Sequence, residues 1–313
     1  IKTGEQLWVT DPLPNGWGIF EYQRDIGYGK VYTTGYTGVV RAYNGADGKL
    51  AWEFDMGKAG YETVYGVWPT YNGFTIADGK IFVSNDEHSP DAVLWRGAKL
   101  FALNTTDGKE VWSISGMLRN PVVVDGLLTA LNSYDGKVYT FGKGPSATTV
   151  TTPMTAVQVG QKFTITGTVT DQSPGQKGTP AISDEDMAAW MEYLHMQKAC
   201  PANVKGVTVK LTAIDPNTNF VEIGEATTDT EGNFGFAWAP EVPGLYQVIA
   251  TFEGSNSYGT SSASAYLTAI ETPPASPTPT PLTLPPTENY VIGTGIAIIV
   301  AIAIVGFLLY RRK

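Results

Sequence analysis

Three segments of the chain place a glycine four residues before a tryptophan: TGEQLW at 3–8, DGKLAW at 47–52 and DGKEVW at 107–112. The anchoring pairs are Gly4 and Trp8, Gly48 and Trp52, Gly108 and Trp112. The two complete copies also share an upstream strand that ends in a small residue, an apolar residue and Asn, namely Ala42-Tyr43-Asn44 and Ala102-Leu103-Asn104. Asp-Gly supplies the positive φ that a hairpin turn requires, and the alternation after it sets one large aromatic on the packed face. Each unit therefore reads strand, tight turn, strand. Further turns follow at Gly29-Lys30, Asp78-Gly79 and Asp125-Gly126, with Asp135-Gly136-Lys137 in a last, shortened copy. Glycine (35), proline (20) and aromatic residues (12%) are plentiful, which suits many short strands and gives an all-β fold class.

GVVRAYNGADGKLAW and GAKLFALNTTDGKEVW resemble the quinoprotein-type (PQQ-like) β-propeller repeat over about residues 1–145. The resemblance implies partial propeller blades, with a ring completed upstream because propellers have four to eight blades. The chain opens inside a repeat, and a leader with further blades is expected before it. In quinone-dependent dehydrogenases of this type the resemblance would imply PQQ with calcium at the ring centre, often beside a disulfide between adjacent cysteines. This chain has only Cys200. No catalytic, cofactor or metal residue is evident, and PQQ belongs only to the alternative enzyme reading.

The two Trp-to-Trp intervals are 44 and 60 residues, so the second carries sixteen more, placed most economically at SNDEHSPDAVLWRG, residues 84–97. Insertions in propellers sit on a face, where ligands bind. Asp86, Glu87, His88, Asp91 and Arg96 are the densest polar cluster there. They read either as a ligand loop or as a solvated loop closed by Asp–Arg pairing. Asn104-Thr105-Thr106 is a glycosylation sequon whose place in a repeat turn would keep it exposed.

After Pro145 the pattern changes to alternating strands bounded by turn signals such as Asp215-Pro216-Asn217 and Asp229-Thr230-Glu231-Gly232. GTVTD, TTDTEGNFGF and ATFEGSNSY make 146–270 similar to a bacterial or archaeal immunoglobulin-like surface domain, a β-sandwich. Pro243-Gly244-Leu245-Tyr246 resembles its tyrosine corner. A helical insert is expected at about 183–199, capped by Ser183 and Asp186, with Met187, Trp190, Met191 and Leu194 on one stripe. Met187, Met191, His195, Met196 and Cys200 are soft or borderline ligands that invite a copper site, but Met196 falls on the opposite side of the helix from Met187 and Met191.

Residues 271–289 hold seven prolines, too many to pack, and read as an extended stalk of about 60 Å. From 291 to 309 there is no charge, and nineteen helical residues span about 28 Å, the thickness of a bilayer's hydrocarbon core. The membrane helix is placed at 290–310, with Tyr290 and Tyr310 at the interfaces and Arg311, Arg312 and Lys313 as a cytoplasmic tail. By the positive-inside rule the bulk of the chain is extracellular, on a single-pass protein of the cell membrane. Without that tail the chain has 18 basic against 30 acidic residues, a net −12 that disfavours nucleic acid. The functional expectation is a cell-surface binding, adhesion or scaffold protein with an extracellular protein or glycan ligand. The alternatives are an extracytoplasmic quinoprotein-like oxidoreductase and a structural envelope component.

Overall fold

The computed structural model describes residues 3–13, 21, 23–72, 74–88, 93–271 and 287–312. They divide into two compact units, 1–271 and 272–313. The first begins with β1 (Gln23–Gly27), β2 (Lys30–Thr34), β3 (Val39–Asn44) and β4 (Leu50–Asp55), an antiparallel four-stranded meander. A second meander of the same order follows in β5 (Phe74–Ala77), β6 (Lys80–Ser84), β7 (Lys99–Asn104) and β8 (Glu110–Ser115). The third sheet has three strands, β9 (Leu118–Val124), β10 (Leu127–Asn132) and β11 (Lys137–Phe141).

The sheets stack because successive side chains of a strand point to opposite faces. In the middle sheet Ile81, Val83, Phe101 and Leu103 join a core with Tyr32, Val40, Ala42 and Trp52 of the first. The alternate residues Phe82, Leu100 and Ala102 join Leu118, Leu128 and Ala130 of the third. Both faces of β6 and β7 are thus covered, which is why KIFVS and KLFALN read as nearly unbroken apolar runs.

The repeated spacing of glycine and tryptophan has a physical cause at two of its three tryptophans, each of which reaches the turn of the following unit. The Trp8 indole Nε1 donates to Gly45 O at 2.9 Å, and Trp52 Nε1 donates to Thr105 O at 3.0 Å. The ring then lies flat against the turn glycine of the following unit. A Cβ on Gly48 would sit 2.6 Å from the Trp8 ring, and one on Gly108 2.5 Å from the Trp52 ring, while both glycines have φ near +70° (68° and 73°). The turn therefore needs glycine twice over, for its conformation and for its neighbour.

The rest of this unit is a β-sandwich formed by β12 (Ser146–Thr151), β13 (Val157–Gln158), β14 (Phe163–Asp171), β15 (Thr208–Ile214), β16 (Phe220–Thr227), β17 (Asn233–Trp238), β18 (Gly244–Phe252) and β19 (Ser261–Ile270). One sheet runs β12-β14-β17 and the other β13-β19-β18-β15-β16. Tyr246, Val248, Ala250 and Phe252 alternate inward along β18 to meet Ile165, Val169 and Phe234 of the opposite sheet. The Tyr246 hydroxyl accepts from Val242 N and donates to Val242 O, both at 3.0 Å, tying the loop that enters β18. Tyr246→Phe leaves that backbone pair without the hydroxyl at a nearly fully buried site. It is expected to cost about 2 kcal/mol in urea unfolding.

Between β14 and β15 lies helix α1 (Met187–His195), shorter than the 183–199 expected. Trp190 packs with Ile182 and Val204, and Met187, Met191 and Leu194 join them, so the stripe is as expected. The cap differs. Asp186 occupies the N-cap without bonding the helix, because its carboxylate accepts from Lys205 N at 2.8 Å and Ser183 Oγ at 3.1 Å. The helix also leans on the repeat sheets: Ser115 N donates to Glu192 Oε1 at 2.5 Å, and Met191 packs beside the core shared by the second and third sheets.

In the second unit α2 (Thr287–Tyr310) is a single 24-residue helix with mean hydropathy 2.8 over its most apolar window and no buried residue. It is long and apolar enough to cross a bilayer. The proline-rich stretch before it lies, from 272 to 286, outside the described residues.

Candidate functional site

In the first two sheets the end opposite the Asp47-Gly48 and Asp107-Gly108 turns, called the upper end below, carries the longer connections: 35–38 after β2, 56–73 before β5 and 85–98 after β6. Two side-chain bridges recur there. In the first sheet the Thr37 hydroxyl donates to Glu21, which lies two residues before β1. In the second, Asn72, two residues before β5, donates its amide to Asp86 just after β6. The link is the same, with the acid moved from one side to the other. Each acid also faces an arginine: Arg41 Nη1 lies 3.5 Å from Glu21 Oε2, and Arg119 Nε of β9 lies 4.0 Å from Asp86 Oδ2.

Asp86 is fully buried, and burial pushes its carboxyl up to about 6, with the nearby Glu87 adding to the rise and the Asn72 bond and Arg119 opposing it. Asp86 Oδ1 and Arg119 Nε and Nη2 make no hydrogen bond. Burial likewise raises the Glu21 carboxyl, against the Thr37 bond and Arg41. Glu87 is buried and accepts from Tyr65 Oη at 3.2 Å. His88 is exposed and stands edge-on to Tyr71 at 4.9 Å and to Tyr36 at 6.4 Å.

Of the sequence cluster, then, Asp86 and Glu87 turn inward, His88 turns outward and Asp91 lies outside the described residues. Arg96 does not close the loop onto Asp86. Its backbone N–H and guanidinium Nη2 bind the Glu62 carboxylate at 2.8 and 3.1 Å, which draws Glu62 below the usual carboxylate range. That ion pair joins the 85–98 connection to the turn at 58–67. Tyr61 (108% exposed) and Val64 (88%) project from the turn, and Val93 and Leu94 are exposed on the connection. The sequence reading missed Arg119, Glu21, Arg41 and Glu62. A charged residue inside an otherwise apolar strand, as in VVRAYN and LRNPVVV, is the available signal for the two arginines.

The other candidate side chains have neighbours of their own. Asn104 Oδ1 accepts from Thr106 N at 2.7 Å, the bond that Asn132 makes to Tyr134 N in the last turn, so the sequon asparagine has a turn-forming role of its own. The soft ligands of the insert reach different neighbours: Met187 Sδ meets the Tyr258 hydroxyl, Met196 Sδ meets Asn132, His195 Nε2 meets Gln176 Oε1, and Cys200 is exposed. Among the described residues no three His, Cys, Asp or Glu side chains converge on one point.

The three stacked antiparallel sheets, β1 to β11, the first bonded to the second by Trp52, are curled like the blades of a propeller. The family model described as outer membrane protein assembly factor BamB matches residues 1–113 and again 37–145, together just under half of the chain. BamB of Salmonella typhimurium is 33% identical over 100 residues, which is 31% of this chain and 23% of that protein. The chain thus matches about a quarter of the length of this relative. Among solved structures, BamB from Moraxella catarrhalis is similar over 69% of this chain and 71% of its own, at 10% identity and a TM-score of 0.26. A europium-containing methanol dehydrogenase is similar over 39% and 25%, at 19% identity and TM-score 0.25. The fibronectin(III)-like modules of Clostridium thermocellum CbhA are similar over 62% and 87%, at 16% identity and TM-score 0.26.

Proposed function

We propose that the chain is a membrane-anchored scaffold that binds a protein partner outside the cytoplasm through the clamped connections at the upper end of its blades. In this reading 1–145 is the propeller part, 146–270 an immunoglobulin-like spacer, 271–289 a stalk, 290–310 the membrane helix and 311–313 the cytoplasmic tail. The two-sheet sandwich and the Tyr246 tie support the spacer assignment. Arg311 and Arg312 beyond the helix support the orientation. The family model and the Salmonella typhimurium relative are named for an assembly factor, which is in keeping with a scaffold.

One observation carries the binding role. Asp86 and Glu87 of the upper end are buried, whereas Tyr61, Val64, Val93 and Leu94 are exposed on the two connections that Glu62–Arg96 joins. Exposed anchors on a stiffened loop suit docking, since little conformational freedom is lost on binding. A photoreactive phenylalanine analogue at position 61 is expected to give one discrete protein adduct in cells, and the same analogue at Tyr266, exposed on the sandwich, is expected not to. No adduct at 61, or the same adduct at both positions, contradicts the reading.

A further inference from the structure

A cleft of about 260 Å³ opens between the first two sheets, and Met56, Gly57, Trp68, Asn85 and Gly97 of the upper-end connections line part of it, whereas Tyr61 does not. Phe54, Trp68 and Phe101 form its apolar walls, with Phe54 and Phe101 edge to face at 5.6 Å. Asp55 and Glu110 bring carboxylates, and Lys99 an ammonium 6.0 Å above the Phe101 ring. At the base Asn85 is 1% exposed; its amide oxygen accepts from Lys99 N, while its Nδ2 donates at 3.2 Å to the thioether of Met56. A thioether is a weak acceptor, so this buried amide is free to serve a better one.

The chemistry narrows the occupant. A cation meets Lys99, an anion meets two carboxylates, and a wholly apolar body strips water from four polar groups without returning hydrogen bonds. A neutral ring with C–H groups on its face and hydroxyls on its rim satisfies the donors Asn85 and Lys99 and the acceptors Asp55 and Glu110 together. Its C–H face lies against the aromatic walls. The volume is at the small end for ligand sites and suits a single ring. We propose that this cleft binds one pyranose unit of a glycan.

The test uses the full chain in lipid nanodiscs, so that no glycoside detergent competes. Methyl glycosides of glucose, galactose, mannose and N-acetylglucosamine are added at millimolar concentration, and saturation transfer from protein to sugar is read by NMR. At least one glycoside is expected to receive transfer, strongest at the C–H protons of one ring face. Asp55→Asn, Glu110→Gln and Lys99→Met are each expected to lower its affinity about tenfold with an unchanged melting temperature, as befits loss of one hydrogen bond to a charged group. Tyr61→Ala is expected to leave sugar binding intact, which separates this cleft from the protein-docking surface. No transfer from any of the four, or transfer unchanged in all three cleft variants, overturns the proposal. Displacement of the sugar by tetramethylammonium also overturns it, by assigning the cleft to cations.

Discussion

Replacing Gly108 by alanine is expected to destabilise the chain by about 3–4 kcal/mol in urea unfolding. Two costs combine. A φ of +73° is strained for an L residue by about 1–2 kcal/mol. The new methyl also meets the Trp52 ring at 2.5 Å, and overpacking of this kind costs about 1–3 kcal/mol. Gly136 separates the two, because its φ is +69° in the same kind of turn but nothing lies within 4 Å of its added Cβ. Gly136→Ala should show only the backbone cost of about 1–2 kcal/mol. In a Trp52→Ala background Gly108→Ala should fall to that same level, because the ring it strikes is gone. Equal effects at 108 and 136 would mean that the ring contact does not govern the spacing.

The second large effect concerns Asp86. Its folded pKa of about 6 lies above the ordinary 3.8, so between those values the folded state holds a proton that the unfolded chain has released. The stability tied to this group is fully present below about pH 4 and is lost as pH rises through about 6, amounting to about 3 kcal/mol. Asp86→Asn keeps an oxygen for the Asn72 amide and removes the charge. The variant is expected to be about 2–3 kcal/mol more stable than the parent near pH 7, with the difference gone near pH 4. A variant less stable at neutral pH would show instead that the carboxylate is held productively by Arg119.

The repeat fixed more of the fold in advance than of the site. The turns NGADGK and NTTDGK, residues 44–49 and 104–109, form as the spacing implies, with Gly48 N and Gly108 N each donating to its Asn carbonyl at 2.8 Å. NSYDGK at 132–137 forms the same turn, with Gly136 N on Asn132 O at 2.8 Å. Yet it lies at the opposite end of its sheet, because the third sheet has one strand fewer and the chain arrives there running the other way. Trp112 therefore finds no turn glycine and packs instead against Phe82 and Phe141. Local sequence dictates a turn; strand count dictates which end of the sheet it joins.

The site was less legible for a related reason. Proximity along the chain suggested that Arg96 would meet the acids at 86–91, whereas its partner Glu62 lies 34 residues upstream on another connection. Arg119 reaches Asp86 only because one sheet stacks on the next, and hydrophobic periodicity within a strand does not encode that registration. The helix stripe was readable because all its members sit on one element. The Asp186 cap was not, since Lys205 competes for the same carboxylate from a distant loop.

The chain's single cysteine, Cys200, is exposed in the segment that follows α1 and gives a direct handle on which side of the bilayer the β units lie. Applied to intact cells, a membrane-impermeant maleimide is predicted to label Cys200 as fully as it does after lysis. Labelling that appears only once the membrane is opened would put the sandwich in the cytoplasm and contradict the account.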